Sequence, residues 1–292
     1  MSRPAFAQIS LTNLRHNYRV LCRHASDAEV MAVVKANAYG HSLTITAPAL
    51  YDEGCRKFAI TDCEEGAALR SIIGSDTIIT VLSGIFDARD AQLAVIHHLT
   101  PTITELGQLQ LLKAAGFSGH VWLKVDTGMQ RLGSENIPAL FQACLHSGIG
   151  ITGVMSHLAC ADKPKHTANL QQVEQFRSVM QDLPAGTGAS LLNSAGIAAM
   201  PEYGFDVVRP GIALYGSEPT NGIVLGLKPV MRLIGSVMQI RRISKSTTVS
   251  YGATYTANRD TRIAVISLGY ADGLPRALSN RGFGIWQGKQ LP

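Results

Sequence analysis

No two cysteines in this chain are spaced Cys-x-x-Cys, and the five present (Cys22, Cys55, Cys63, Cys144 and Cys160) are odd in number. That pattern argues against a disulfide framework and against a zinc site, and it fits a reducing, cytoplasmic setting. No apolar run reaches the roughly 18 residues that a membrane span needs. The opening Met-Ser-Arg-Pro-Ala has no apolar signal core, so neither export nor membrane insertion is expected. Charge is short of any strong bias. The formal net charge is +5, and the densest basic cluster, Arg241-Arg242 with Lys245, lacks the aromatic interleaving of a nucleic-acid surface. No Gly-x-Gly-x-x-Gly follows any candidate strand, which removes the dinucleotide fingerprint.

The most informative stretch is Met31-Ala-Val-Val-Lys-Ala-Asn-Ala-Tyr-Gly-His41. Its unbroken apolar run reads as a short strand covered on both faces, with Lys35 at the C-terminal end. A small-residue turn closes at Gly40, and a helical pattern from Ser42 stops at Gly54. In an α/β protein that end of a strand is where chemistry is done. A lysine held there by dry walls loses solvation, which frees its amine to form a Schiff base, whereas an ordinary strand terminus leaves it solvated and inert.

At 292 residues the chain has room for one barrel plus an appendage. Strands are expected at Ala5 to Ser10, Met31 to Val34, Phe58 to Ile60, Thr77 to Leu82, Thr100 to Ile103, His120 to Asp126, Ile151 to Ser156, Ser190 to Leu192 and Asp206 to Arg209. Helices are expected between most of them, the first from Leu11 with Thr12 as a possible N-cap. Eight parallel strands with crossover helices, counted from the lysine strand, predict a (β/α)₈ TIM-type barrel over residues 1–229. Beyond Pro229, Val230 to Ile243, Thr247 to Thr256 and Arg262 to Leu268 are rich in β-branched residues. They predict an all-β C-terminal domain over 230–292. The final residues read as a hairpin turning at Gly288-Lys289 whose second arm is short, so the natural chain is expected to continue past Pro292.

On such a barrel the functional face gathers the strand C-termini: Lys35, Asp126 with Arg131, His157, Asn193 with Ser194, and Arg209 with Gly211. Barrels often seat a phosphate after strands 7 and 8. Asn193-Ser194 and Gly211-Ile212 suit that role, although Asn193-Ser194 also suits an ordinary N-cap. A Schiff-base lysine and a phosphate cradle in one mouth imply pyridoxal 5'-phosphate, with no metal.

Six motifs in order carry a resemblance: Ala32-Val-Val-Lys-Ala-Asn-Ala-Tyr-Gly-His41, Leu123-Lys-Val-Asp-Thr-Gly-Met-Gln-Arg-Leu-Gly133, Ser156-His-Leu-Ala159, Val208-Arg-Pro-Gly-Ile-Ala-Leu-Tyr-Gly216, Val249-Ser-Tyr-Gly-Ala-Thr-Tyr255 and Leu268-Gly-Tyr-Ala-Asp-Gly273. From about Ala5 to Pro292 the chain resembles the alanine racemases. The resemblance implies interconversion of L- and D-alanine, for cell-wall supply or alanine catabolism. Lys35 would carry the cofactor and act as one base, with Tyr251 as the other. His157 and Arg209 would be cationic neighbours of the tyrosine, and Arg209 would also face the pyridine nitrogen. Tyr39, Asn193, Ser194, Gly211 and Ile212 would serve the phosphate, Arg131 the substrate carboxylate, and Tyr270 the entrance. Lys124 matches a position that is carbamylated in some relatives. A homodimer is implied, with Tyr251 supplied in trans.

Two departures stand out. Ser42 replaces a frequent glycine, and a Met-Asp motif with a late substrate-site tyrosine has no counterpart, which predicts weak or absent activity of this chain. The rivals are a decarboxylase on the same plan and a non-catalytic pyridoxal-phosphate carrier barrel. A decarboxylase would bring a Gly-Gly-Gly run that is missing here, and a carrier would lack the β segment holding Tyr251.

Overall fold

The computed structural model describes residues 4–292, so the first three residues of the stretch read above for a signal core lie outside the described ones. It resolves into two compact units, one of residues 9–230 and one combining, among the described residues, 4–8 with 231–292.

In the larger unit eight parallel strands follow one another around a barrel: Glu29–Val33 (β2), Lys57–Ile60 (β3), Ile78–Val81 (β4), Thr100–Ile103 (β5), His120–Lys124 (β6), Gly150–Met155 (β7), Gly188–Ser190 (β8) and Val207–Val208 (β9). The ladder runs from β8 through to β2 and on to β9, so β2 pairs with the last strand at Glu29↔Val207 and Val30↔Val208. The one gap in the ladder lies between β8 and β9. It is bridged by the pair Asn193↔Arg209, by Arg209 N–H to the Leu192 carbonyl at 2.9 Å, and by Ala189 N–H to an Asp206 carboxylate oxygen at 2.7 Å.

Alternation explains why the lysine strand is apolar throughout. Met31 and Val33 point into the barrel with Ala59, Trp122, Met155 and Val207, while Ala32 and Val34 face the helices outside. Helices cap themselves with local acceptors: Asp62 takes the Glu65 N–H, Asp87 the Asp90 N–H and Asn136 the Ala139 N–H. All five cysteines are free, and burial pushes the thiols of Cys55 and Cys144 up to about 11 and that of Cys63 up to about 12, which keeps them protonated and unreactive. Among the described residues no helix is long and apolar enough to cross a membrane.

The smaller unit is all β apart from 3₁₀ turns. Ala5–Ile9 (β1) pairs with Met231–Gly235 (β10), Val237–Ile243 (β11) with Thr261–Ile266 (β14), and Thr248–Val249 (β12) with Tyr255–Thr256 (β13). Gly284–Trp286 (β15) pairs with Lys289–Leu291 (β16).

Several sequence expectations shift. The first strand forms, but it joins this unit rather than the barrel. Its helix, Leu11–His24, is capped by Ser10, whose hydroxyl accepts the Asn13 N–H, and not by Thr12, which lies inside the first turn. The strand expected at Ser190 to Leu192 sits two residues earlier, because Leu191 and Leu192 already turn toward the Asn193 cap. The stretch from Val230 to Ile243 breaks at Ser236, where the N–H turns aside to the Pro4 carbonyl. The final hairpin turns at Gln287-Gly288, both with positive φ (47° and 76°), so Lys289 pairs with Trp286. Two positive φ values in a two-residue loop match the right-handed twist of a hairpin.

Gly153 marks a tight spot in the barrel wall. It pairs with Gly188 across β7 and β8, and a Cβ there would collide with the Gly188 carbonyl oxygen, a backbone atom that cannot rotate away. Gly153→Ala is expected to destabilise the chain by about 1–3 kcal/mol. Gly150→Ala, whose Cβ would first meet the movable His120 ring, should cost less. Urea denaturation of the two variants checks this, and equal midpoints would contradict it.

Candidate active site

The C-terminal mouth of the barrel opens into a cavity of about 470 Å³. Its walls include Lys35, Tyr39, Lys124, Arg131, His157, Asn193, Ser194, Arg209, Gly211 and Ile212, so ten residues singled out from the sequence are brought together. Tyr251 and Tyr270 belong to the smaller unit, where the two residues are 78% and 63% exposed. Tyr251 opens a short 3₁₀ turn between β12 and β13, inside the stretch Thr247 to Thr256 read as part of the β domain.

Lys35 directly follows β2, and the chain then makes a left-handed turn. Ala36, Asn37, Ala38 and Tyr39 all have φ between 52° and 56°, and Gly40 closes the turn at 78°. Asparagine tolerates this region and glycine prefers it, but for the two alanines and the tyrosine it costs about 1–2 kcal/mol each. Local bonds hold it: Ala38 N–H to the Val34 carbonyl at 2.9 Å, Gly40 N–H to that of Ala36 at 3.0 Å, and Leu43 N–H to Asn37 Oδ1 at 2.7 Å. Below it Tyr215 stacks on Tyr39 and His41, with ring centroids 4.9 and 4.6 Å apart, and donates its hydroxyl to the Val33 carbonyl at 3.2 Å. The Tyr39 phenol in turn lies so close over Gly211 that a Cβ there would collide with its oxygen.

Arg209 sits in the gap between β8 and β9 and is 4% exposed. Its guanidinium donates to Ser190 Oγ, to the Ser156 carbonyl and, at 3.2 Å, to the Leu191 carbonyl. Burial pulls its pKa down to about 10, which leaves it charged at neutral pH. His157 Nδ1 lies 3.4 Å from Arg209, and Nε2 lies 3.4 Å from the Asn193 amide nitrogen. Burial, then Arg209, Arg131, Lys124 and Lys35, push the imidazole down to about 3. The expected cationic His157 is therefore corrected: with donors around it and positive charges beside it, the ring is neutral at physiological pH.

Lys124 is buried inside the mouth, and its pKa falls to about 8, through desolvation first and then Arg209 and Arg131. Arg131 stands on a loop wound around Asp126, whose carboxylate accepts the N–H groups of Gly128, Met129, Gln130 and Arg131 at 2.8 to 3.1 Å. Burial alone would raise Asp126, but those four bonds outweigh it and hold the group below its usual range. At the other wall Ser194 Oγ accepts the N–H groups of Gly211 at 2.9 Å and Ala213 at 3.3 Å, so the glycine expected to offer a backbone donor gives it to a hydroxyl. Asn193 caps the Ser194–Ala199 helix through the Gly196 N–H, as its alternative reading required.

Three contributors went unrecognised in the sequence. Ser190 anchors Arg209, Asp162 is a carboxylate among the lining residues, and Gln172 spans the loop behind His157 by bonding the His157 carbonyl and the Ala159 N–H. Serine, aspartate and glutamine are too common for their positions to be singled out. Tyr215 lay within a motif quoted above and could have been found as its one large aromatic.

The His157 ring gives a pH signature. With the folded pKa below the ordinary 6.5, the unfolded chain binds this proton more readily, so stability is lost as pH falls from about 6.5 toward 3. The loss is about 1.4 kcal/mol for each pH unit in that window. His157→Asn should flatten the denaturation free energy against pH by that slope between pH 6 and 4.5; parallel curves for variant and wild type would contradict it.

Comparison with known proteins bears on what this mouth is. The family model described as alanine racemase, N-terminal domain, matches residues 9–219, and that described as alanine racemase, C-terminal domain, matches residues 230–292. The alanine racemase of Acidithiobacillus ferrooxidans is 40% identical over 288 residues, covering 95% of this chain and 79% of the relative. The crystal structure of biosynthetic alanine racemase from Pseudomonas aeruginosa superposes with a TM-score of 0.86 at 38% identity, over 97% of this chain and 79% of that one. That of alanine racemase from Bartonella henselae with covalently bound pyridoxal phosphate gives 0.89 at 33%, over 99% and 82%. Both family models, one on the barrel and one on the β region, and relatives at this identity over nearly the full length show that the chain belongs to the alanine racemase family.

Proposed function

We propose that the chain is a pyridoxal-phosphate-dependent alanine racemase that interconverts L- and D-alanine with two bases, Lys35 and Tyr251, as a homodimer. The observation that carries this reading is the position of Lys35, fixed by a strained turn at the mouth of a barrel whose other charged walls are mostly cationic. The residues present fit the cofactor. Lys35, Arg131 and Arg209 bring positive charge to a mouth that would take an anionic cofactor and a carboxylate, and the bare backbone of Gly211 lets the Tyr39 phenol lie directly against it.

Lys35 would hold the cofactor, Tyr39, Asn193, Ser194, Gly211 and Ile212 its phosphate, and Arg209 its ring nitrogen. When bound, the cofactor supplies an electron sink that acidifies the Cα–H bond of an attached amino acid. Racemisation then needs a proton removed from one face and another returned to the opposite face. Lys35 Nζ serves one face and Tyr251 Oη the other. Arg209, which keeps its own proton, would leave the ring nitrogen unprotonated, and that would temper the sink and favour proton return over transamination. With His157 neutral, Arg209 remains the cationic candidate for the tyrosine's neighbour. Arg131, held by the Asp126 loop, binds the substrate carboxylate, and Tyr270 lines the entrance. The depressed pKa of Lys124 supports its carbamylation: the neutral amine adds its lone pair to carbon dioxide, releases a proton, and places a negative charge beside Arg131.

Residues 9–230 would form the cofactor-binding domain and residues 231–292, with the first strand, the β domain that lends Tyr251 to the partner's barrel, in a cytoplasmic enzyme serving wall synthesis or alanine catabolism. Two experiments test this. Borohydride reduction of the protein loaded with pyridoxal phosphate should leave the pyridoxyl group on Lys35, and a tag on another lysine would contradict the assignment. Lys35→Ala and Tyr251→Phe, each inactive, should regain roughly a quarter of wild-type activity after subunit exchange, because about half of the dimers are mixed and each has one intact composite site. No recovery after proven exchange would put both bases in one chain.

A further inference from the structure

The left-handed turn behind Lys35 is tied to a neighbouring helix by a carboxylate. Glu65 lies in the first turn of the Cys63–Arg70 helix, whose cap Asp62 accepts its N–H at 2.9 Å. Its Oε1 accepts the N–H of Ala36 at 2.6 Å, and its Oε2 accepts the N–H of Thr61 at 2.8 Å. One side chain thus joins the peptide leaving Lys35 to the loop that follows β3.

Backbone in the left-handed region persists only where its surroundings over-determine it. Around this turn, Tyr215 supports Tyr39 from below and Asn37 closes the far end on Leu43. The near end, next to the lysine, is held by Glu65. Bonds from backbone N–H to an ionised carboxylate are about twice as strong as neutral ones, and this one falls on the first residue of the turn. Release of the Ala36 peptide would let the turn relax toward right-handed φ, and the Cα–Cβ direction of Lys35 would swing with it.

We propose that Glu65 is a positioning residue for Lys35, pinning the Ala36 peptide so that the strained turn aims the lysine amine into the barrel mouth. Glu65 itself touches neither cofactor nor substrate. The proposal rests on the reading of Lys35 as the cofactor lysine. It also explains why a carboxylate is required: both of its partners are N–H donors, so a glutamine satisfies one and turns an NH₂ toward the other.

The variant Glu65→Gln therefore removes one bond at constant volume. Its control is Arg70→Gln in the same helix, since Arg70 donates to the carbonyls of Gly74, Thr77, His97 and His98, none of them in the turn. For each protein the melting temperature, the retention of pyridoxal phosphate and the pH midpoint of the cofactor's absorbance band are measured. Glu65→Gln is expected to weaken cofactor retention about tenfold or more and to move the midpoint. Arg70→Gln should lower the melting temperature at least as far while leaving both cofactor readings at wild type. If Glu65→Gln alone does not fold, the same readings are taken with Ala36→Gly added, because glycine removes the steric cost of the turn without restoring the clamp. A Glu65→Gln protein, with or without Ala36→Gly, that loses melting temperature while keeping wild-type retention and midpoint would overturn the proposal with the Lys35 assignment intact. A pyridoxyl tag on another lysine of the wild-type chain would overturn that assignment and the clamp together.

Discussion

The buried guanidinium of Arg209 is the constraint on which the barrel and its site both depend. Seven of the eight strand junctions are closed by backbone ladders, but between β8 and β9 there is one isolated bridge, and a few backbone bonds together with side chains complete the join. Arg209 supplies donors to Ser190 Oγ and to the carbonyls of Ser156 and Leu191, and Ser190 passes its own hydrogen to the Val207 carbonyl. A cation buried this deeply is tolerated because its hydrogens are taken up by fixed oxygen acceptors. The same charge helps to keep His157 neutral and to depress Lys124. Closure of the fold and the electrostatics of the mouth are therefore one arrangement.

Much of this was legible in the order of residues. Met31 to Val34, apolar without interruption, announced a strand buried on both faces, and the barrel rule then put Lys35 at the mouth. Asp126, Arg131, His157, Asn193 and Arg209 followed from the same rule, since each sits just past a recognisable strand. Position along a strand is a one-dimensional property, and a sequence carries it directly.

What was not legible depends on three-dimensional surroundings. Ala36-Asn-Ala-Tyr39 contains no glycine, so nothing local signals four consecutive left-handed residues; packing from Tyr215 and the bond from Glu65 impose them. His157 reads as a titratable cation until the two guanidinium and two ammonium groups around it are counted. Ser190 looked like strand filler because its partner lies on the next strand, 19 residues on. The exchange of Thr12 for Ser10 at the first cap is a smaller case of the same kind, decided by which hydroxyl can reach the Asn13 N–H.

The pairing of β2 with β9 also has a consequence for how the protein is made. Lys35 leaves the ribosome early, while the Pro210 carbonyl that receives the Val33 N–H, and the Tyr215 ring that supports the turn, arrive only after nearly the whole barrel has been translated. Contacts between such distant parts of the chain form late, because loop entropy is lost before they are rewarded. The nascent chain therefore carries Lys35 unsupported through most of synthesis, and the left-handed turn behind it has to wait for the last strand.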